Sequence, residues 1–207
     1  MSGFKPQRRR FGRRAARGAV LLSGLSALFA PGCVRETLPL PAPIPRQVAI
    51  VPFRGIDPES VDIARRSIEA RTYAKVIVLA PEDLPRKAYY APRNRYRAET
   101  LLDHLGRKPY GHVIGLTRRD ISTTHGPHID WGIFGLGSCP GKACVVSTFR
   151  LGGRKDRLAK VVVHEFGHTL GLPHCPTPKC LMNDARGRAA TVDAETGFCD
   201  DCRKAFV

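Results

Sequence analysis

HEFGHTLGLPH, residues 164–174, places three histidines, one glutamate and a helix-ending glycine at fixed spacing. On an α-helix, residues four positions apart lie about 40° apart around the axis and about 6 Å apart along it. His164 and His168 can therefore present two imidazole nitrogens to one metal ion. Gly171 can adopt the left-handed conformation that ends a helix. Such a turn would bring His174 back toward the same point.

This spacing predicts a catalytic zinc site rather than a structural one. Three histidines leave the fourth position of a tetrahedral zinc ion open to water, whereas structural sites have four protein ligands. Glu165 is placed to take a proton from a zinc-bound water. We therefore expect zinc on His164, His168 and His174, with Glu165 as general base. The alternative is a buried amphipathic helix whose histidines satisfy local hydrogen bonds only.

Four cysteines follow the histidines in two close pairs. They are Cys175, Cys180, Cys199 and Cys202. Two such pairs are typical of a zinc site with four thiolate ligands, although an oxidising compartment would favour two disulfides instead. Cys139 and Cys144 form a separate CPGKAC loop, for which a local disulfide is the simpler interpretation.

The whole C-terminal pattern resembles the archaemetzincin family of zinc metalloproteases. It combines the 164–174 stretch, the cysteine after it, a CxM at 180–182 and a CxxC at 199–202. The resemblance implies a catalytic zinc on the three histidines and a structural zinc on the four cysteines. It also implies a Met-turn at Met182 beneath the catalytic site. The family has one residue more between the methionine and the CxxC pair, a difference expected to shorten a loop.

Upstream of this region, short apolar runs alternate with amphipathic segments. The runs at 47–53, 75–79 and 112–116 predict buried strands, and 58–71 and 97–105 predict helices. The alternation predicts an α/β (α+β) fold with a mixed, twisted sheet. The resemblance specifies a metzincin-like zincin fold, with an active-site helix and a small C-terminal zinc subdomain built on the four cysteines.

The apolar run at 145–149 bears on substrate binding. If it forms the edge strand of the sheet beside the cleft, its free backbone groups could pair with an extended peptide. The alternative is an internal strand that is already paired on both sides.

The chain has 207 residues and a formal net charge of +16. Residues 1–32 contain seven basic residues and no acidic residue, which leaves +9 for the remainder. The basic residues of the remainder are scattered and few aromatic residues lie among them, so we expect no nucleic-acid partner. Contact with anionic lipid headgroups accounts for this charge at least as well.

The N-terminal region has the features of an export signal. A basic segment precedes an uncharged stretch too short to span a membrane, and Ala30-Pro31-Gly32-Cys33 resembles a lipobox. We expect a signal peptide at 1–32, of twin-arginine or lipoprotein type, with lipidation at Cys33. A proline-rich tether at 33–45 would then connect a bacterial membrane to the exported catalytic domain at 46–207. The alternative is an uncleaved basic tail followed by a short apolar helix.

Together, these features predict a monomeric zinc-dependent peptidase that carries two zinc ions per chain and acts on peptide or protein substrates. The alternative is a catalytically silent module, stabilised by zinc, that binds a peptide or a surface. Glu165 argues against this alternative, because a purely structural metal site has no use for its carboxylate.

Overall fold

The computed structural model describes residues 47–206. The predicted signal peptide, the lipidation site Cys33 and the proline-rich tether lie outside the described residues. Within 47–206, every helix is too short or too polar to cross a membrane.

The described residues form two β-sheets and several helices. The strands are β1 (Gln47–Pro52), β2 (Lys75–Val78), β3 (Tyr89–Tyr90), β4 (Arg95–Arg97), β5 (His112–Thr117), β6 (Ile121–His125), β7 (His128–Ile133), β8 (Gly135–Gly137) and β9 (Ala143–Ser147). The α-helices are α1 (Pro58–Glu69), α2 (Ala98–Gly106), α3 (Lys155–Thr169), α4 (Ala189–Ala194) and α5 (Asp200–Arg203). The strands and helices predicted upstream of residue 117 are confirmed.

The main sheet has the strand order β2-β1-β5-β9-β8. Its first four strands run parallel, and β8 pairs antiparallel with β9. The second sheet has the order β3-β4-β6-β7 and also mixes parallel and antiparallel pairs. The predicted mixed sheet is therefore confirmed.

The main sheet is buried on both faces, which explains its continuous apolar strands. Ile50 and Ile114 pack with residues of α1 and α3 on one face. Ala49 and Val113, their neighbours in sequence, pack with residues of α2 on the other face. Helices thus cover both faces of the sheet at β1 and β5. Helix α3, which carries His164 and His168, packs on the same face as α1.

The strand at 143–147 is internal, so the prediction that 145–149 forms the edge of the sheet is wrong. Val145 is paired with Gly115 of β5 on one side and with Leu136 of β8 on the other. The edge strand is β8, three residues long. An apolar run shows that a strand is buried but does not show how many neighbours it has.

A buried ionic network connects the second sheet to the segment before α3. The Asp120 carboxylate accepts hydrogen bonds from Arg95 of β4 at 2.8 Å and from Arg150 at 2.7 Å. Arg95 also donates to the carboxylate of Asp130 in β7 at 2.7 Å. The pairs between guanidinium groups and these two carboxylates hold β7 against β4 and the segment before α3. Strand β7 leads directly into β8.

We expect Ile114→Ala to destabilise the fold, because Ile114 is fully buried in the central strand β5. The loss should be about 2–5 kcal/mol in the free energy of unfolding, measured by denaturant titration of the zinc-loaded protein. Tyr73→Ala is the control, since Tyr73 is 99% exposed and its change should stay within about 0.5 kcal/mol. Equal midpoints for the two variants would contradict the central position of β5.

Candidate active site and metal centres

Helix α3 carries the first two histidines, and its apolar face fixes their direction. Leu158, Val162 and Phe166 recur every four residues and are buried against the core. Because this face is held by the sheet and α1, the positions of His164 and His168 on the helix are fixed as well.

The end of α3 returns the chain toward these histidines, as predicted from Gly171. Gly171 has a φ of +91°, in the left-handed region. Its N–H donates to the carbonyl of His168 at 2.8 Å, and the N–H of Leu172 donates to the carbonyl of Gly167 at 3.1 Å. This pair of bonds is a Schellman motif, which satisfies the last carbonyls of the helix. His174 follows directly on the returning chain.

The three histidines converge, as the sequence predicts. The nearest ring nitrogens of His164, His168 and His174 all lie within 4.8 Å of one another. The Nε2 atoms of His164 and His168 are 3.1 Å apart. His168 is buried, His164 is half-buried and His174 is exposed, so the cluster opens to solvent on one side.

Two backbone carbonyls orient the helical histidines. Nδ1 of His164 lies 2.7 Å from the carbonyl oxygen of Leu181, and Nδ1 of His168 lies 2.7 Å from that of Leu172. A carbonyl only accepts hydrogen bonds, so each Nδ1 carries the proton and each Nε2 keeps a free lone pair. This arrangement is typical of histidines that bind a metal through Nε2.

Burial keeps these two imidazoles neutral. Burial, reinforced by the neighbouring His168, lowers the pKa of His164 to about 3. Burial also lowers the pKa of His168. Because the neutral imidazole is the form that binds metal, the donor set fits a zinc ion with one side open to solvent.

The side chain of Glu165, on α3, lies against β8. It is 7% exposed, and burial raises the pKa of its carboxyl to about 8, although a backbone hydrogen bond from Gly137 opposes this shift. The contact with β8 is close: a Cβ atom at Gly135 would come within 2.5 Å of Cγ of Glu165. Glycine at this position therefore allows the edge strand to hold the carboxylate.

The four C-terminal cysteines also converge. The sulfur atoms of Cys175, Cys180, Cys199 and Cys202 lie within 4.8 Å of one another, and all four thiols are free. The Sγ atoms of Cys175 and Cys199 are 3.7 Å apart. A backbone hydrogen bond from Cys202 lowers the pKa of Cys199 to about 7, which favours the thiolate. Four sulfur atoms around one point fit a tetrahedral zinc ion better than two disulfides.

Met182 lies beneath α3, as the predicted Met-turn requires. Its side chain is fully buried, and its sulfur lies against Gly167. The carbonyl of Met182 accepts a hydrogen bond from the N–H of Cys175 at 2.7 Å. The methionine segment therefore links the floor of the histidine cluster to the cysteine cluster.

The predicted disulfide between Cys139 and Cys144 is wrong, because both thiols are free. Cys144 is in register with Gly137 and is fully buried in the core. Cys139 is exposed beyond the end of β8, and its Sγ donates to the carbonyl of Leu172 at 3.4 Å. The two side chains belong to different environments despite their short separation in sequence.

Sequence reasoning missed several groups at the site. The roles of the Leu172 and Leu181 carbonyls cannot be predicted from the sequence, because every residue has a backbone carbonyl. Asp184 lies near the histidines, where its charge opposes the lowering of the His164 pKa by burial. The glycines at 135 and 137 are a signal that the sequence does contain, because glycine in a strand indicates the close approach of another group.

Three comparisons with known proteins agree on the family. The model for Peptidase family M54 matches residues 154–206. Archaemetzincin from Halobacterium salinarum is 32% identical over 173 residues, which cover 76% of this chain and 98% of that protein. The crystal structure of archaemetzincin from Methanopyrus kandleri has a TM-score of 0.67 and 34% identity, covering 77% of this chain and 92% of that one.

A second crystal structure gives the same result. Archaemetzincin from Archaeoglobus fulgidus, complexed with malonate, has a TM-score of 0.67 and 28% identity, covering 77% of this chain and 99% of that one. The zincin-like fold with its cysteine cluster is thus confirmed, as is the zinc metallopeptidase class. The chain therefore belongs to the archaemetzincin family.

Proposed function

We propose that this metallopeptidase cleaves peptide bonds at a zinc ion held by His164, His168 and His174, with Glu165 as general base. One observation carries the proposal: buried Glu165 lines the same cavity as His164, whose ring nitrogen converges with those of His168 and His174 within 4.8 Å. Family membership supports the zinc-dependent peptidase activity. The individual roles are supported by the geometry of the described residues.

The chain's own residues prepare and complete the reaction. When bound, zinc supplies a Lewis acid that polarises the substrate carbonyl and acidifies water. The carbonyls of Leu172 and Leu181 hold the two helical imidazoles in one orientation. Glu165 accepts a proton at a carboxylate oxygen from the attacking water, then donates it to the leaving amine nitrogen. Its contact with β8 holds the carboxylate ready for both transfers.

We propose that β8, rather than β9, pairs with the substrate. Within the described sheet, β8 has β9 on one side and no strand on the other. It also contacts Glu165 directly. An extended peptide added to this edge would form main-chain hydrogen bonds beside the general base. Backbone pairing positions the scissile bond with little dependence on side chains.

We also propose a second, structural zinc ion on Cys175, Cys180, Cys199 and Cys202. The convergence of their sulfur atoms supports four thiolate ligands. Such an ion would join the segment after the third histidine to the C-terminal helix α5. It would thereby stabilise the segment that contains Met182.

The location of the protein is a further proposal, supported by the sequence alone. We propose that residues 1–32 direct export and that Cys33 carries a lipid anchor in a bacterial membrane. Export after folding, through a twin-arginine signal, would let zinc bind in the reducing cytoplasm. The four cysteines would then be protected from oxidation outside.

Glu165→Ala should retain zinc but lose peptide hydrolysis. Loss of a general base should lower kcat/KM by about 10²–10⁴-fold, because no other group takes the proton from the attacking water. Hydrolysis of a quenched fluorescent peptide library and metal content by mass spectrometry check this. Glu69→Ala, which changes an exposed glutamate of α1, should stay fully active. Parent-level hydrolysis by the Glu165 variant would show that the assigned mechanism is wrong.

Metal analysis should give two zinc ions per folded chain and one in a Cys199→Ser/Cys202→Ser variant. The reason is that the double variant removes half of the proposed thiolate ligands but none of the imidazoles. Cys139→Ser is the control and should keep two. Thiol titration of the native parent gives an independent check that needs no variant. One zinc ion in the parent, with its C-terminal cysteines in disulfides, would refute the structural site.

Cys33→Ser should release the protein from the membrane fraction of a bacterial host. The parent should partition with membranes and incorporate labelled fatty acid, because the lipid is attached through the sulfur of this cysteine. Fractionation and fatty-acid labelling measure both properties, with Cys144→Ser as the control that leaves them unchanged. A parent that stays in the cytoplasmic fraction without label would exclude the anchor.

A further inference from the structure

A cavity adjoins the proposed catalytic residues, and a second buried glutamate lines it. Its empty volume, including the mouth, is about 270 Å³. His164 and Glu165 line one part, and Glu195 lines another. The remaining walls are apolar and are contributed by Phe134, Val161, Ala185 and Val192.

The carboxylate of Glu195 has no protein partner among the described residues. The residue is 5% exposed, yet among residues 47–206 its carboxylate accepts no hydrogen bond and lies within 4.0 Å of no basic group. Lys160 is nearby, but its ammonium donates to the carbonyls of Val192 at 2.8 Å and Asp193 at 3.2 Å. The oxygen atoms of Glu195 are not fully enclosed, so this unpaired carboxylate is accessible to a cationic group that enters the cavity.

The fold compensates the charge of Glu195 only in part. Burial raises the pKa of Glu195 to about 7, and the charge of Lys160 opposes this only in part. The adjacent acid, Asp193, behaves differently: its carboxylate is paired with Arg157 at 2.7 Å on the surface. Of these two acids, only Glu195 lines the cavity.

We propose that this cavity binds a lysine or arginine side chain of the substrate, at a residue adjoining the scissile bond, through the carboxylate of Glu195. The proposal rests on the proposed hydrolysis at Glu165 and the three histidines, because the cavity is defined by its closeness to them. Glu195 would thus be a specificity-determining residue for this peptidase.

The chemistry of the walls fits a long basic side chain. Its methylene groups would lie against Phe134, Val161 and Val192, while its charged end reaches Glu195. An apolar side chain of the same length would cover the carboxylate and leave it unpaired. An acidic side chain would be repelled by it. The cavity therefore selects for positive charge.

Peptides that differ in a single side chain beside the scissile bond test this proposal directly. Two series place lysine, arginine, norleucine or glutamate either before or after the scissile bond. Norleucine has the lysine chain without the ammonium group, so the lysine-to-norleucine ratio of kcat/KM isolates the charge. In the parent this ratio should be on the order of tenfold or more in one series, as expected for a buried charged hydrogen bond.

Two variants assign the preference to Glu195. Glu195→Gln keeps the shape of the side chain and should bring the ratio to about one, since the charge is gone. Asp193→Asn removes the same charge two positions away, outside the cavity, and should leave the ratio unchanged. A parent ratio near one in both series would overturn the proposal. So would a Glu195→Gln variant that keeps the preference or loses activity equally on every peptide.

Binding to the Glu165→Ala variant separates this proposal from the catalytic one. Calorimetry with the same peptides should show tighter binding of lysine than of norleucine, and Glu165→Ala/Glu195→Gln should remove the difference. If the parent cleaves no peptide, the proposed hydrolysis fails, while the binding difference still decides the role of Glu195. Equal binding of both peptides would overturn the role of Glu195 whether or not the parent is active.

Discussion

The turn at Gly171 is the constraint on which the histidine cluster depends. Helix α3 must run far enough to carry His168 and then stop at once, because a further helical turn would carry His174 away from the other two rings. A residue with a φ of +91° achieves this stop, and the two hydrogen bonds of the Schellman motif satisfy the helix end. The same returning segment supplies the Leu172 carbonyl that orients His168, so one turn sets both the position of His174 and the tautomer of His168.

Much of this arrangement could be predicted from the sequence because its spacing is local. Helical geometry fixes the separation of His164 and His168, and glycine is the residue that best tolerates the turn after them. The apolar runs also identified the parallel strands, since a sheet covered on both faces needs continuous apolar residues. The four cysteines converge as expected from two close pairs.

What could not be predicted depends on contacts between segments far apart in sequence. The run at 145–149 has the same composition whether it has one neighbouring strand or two, so its edge position was predicted wrongly. The true edge, Gly135–Gly137, is too short and has too few side chains to show a pattern of its own. The prediction of a disulfide between Cys139 and Cys144 was wrong for a related reason. A disulfide requires two side chains in a specific relative geometry, which their separation in sequence does not show.

The segment between Met182 and Cys199 has both ends fixed. Met182 is held beneath α3, and Cys199 belongs to the cysteine cluster, yet the intervening residues include three that line the cavity beside Glu165: Ala185, Val192 and Glu195. On the assignments proposed above, the side chains that select a substrate lie on this segment, separate from the histidines proposed to hold metal. Such a segment can change in sequence while the histidines and Glu165 stay in place. A change of charge preference would then require a substitution in this segment rather than in the helix that carries the first two histidines.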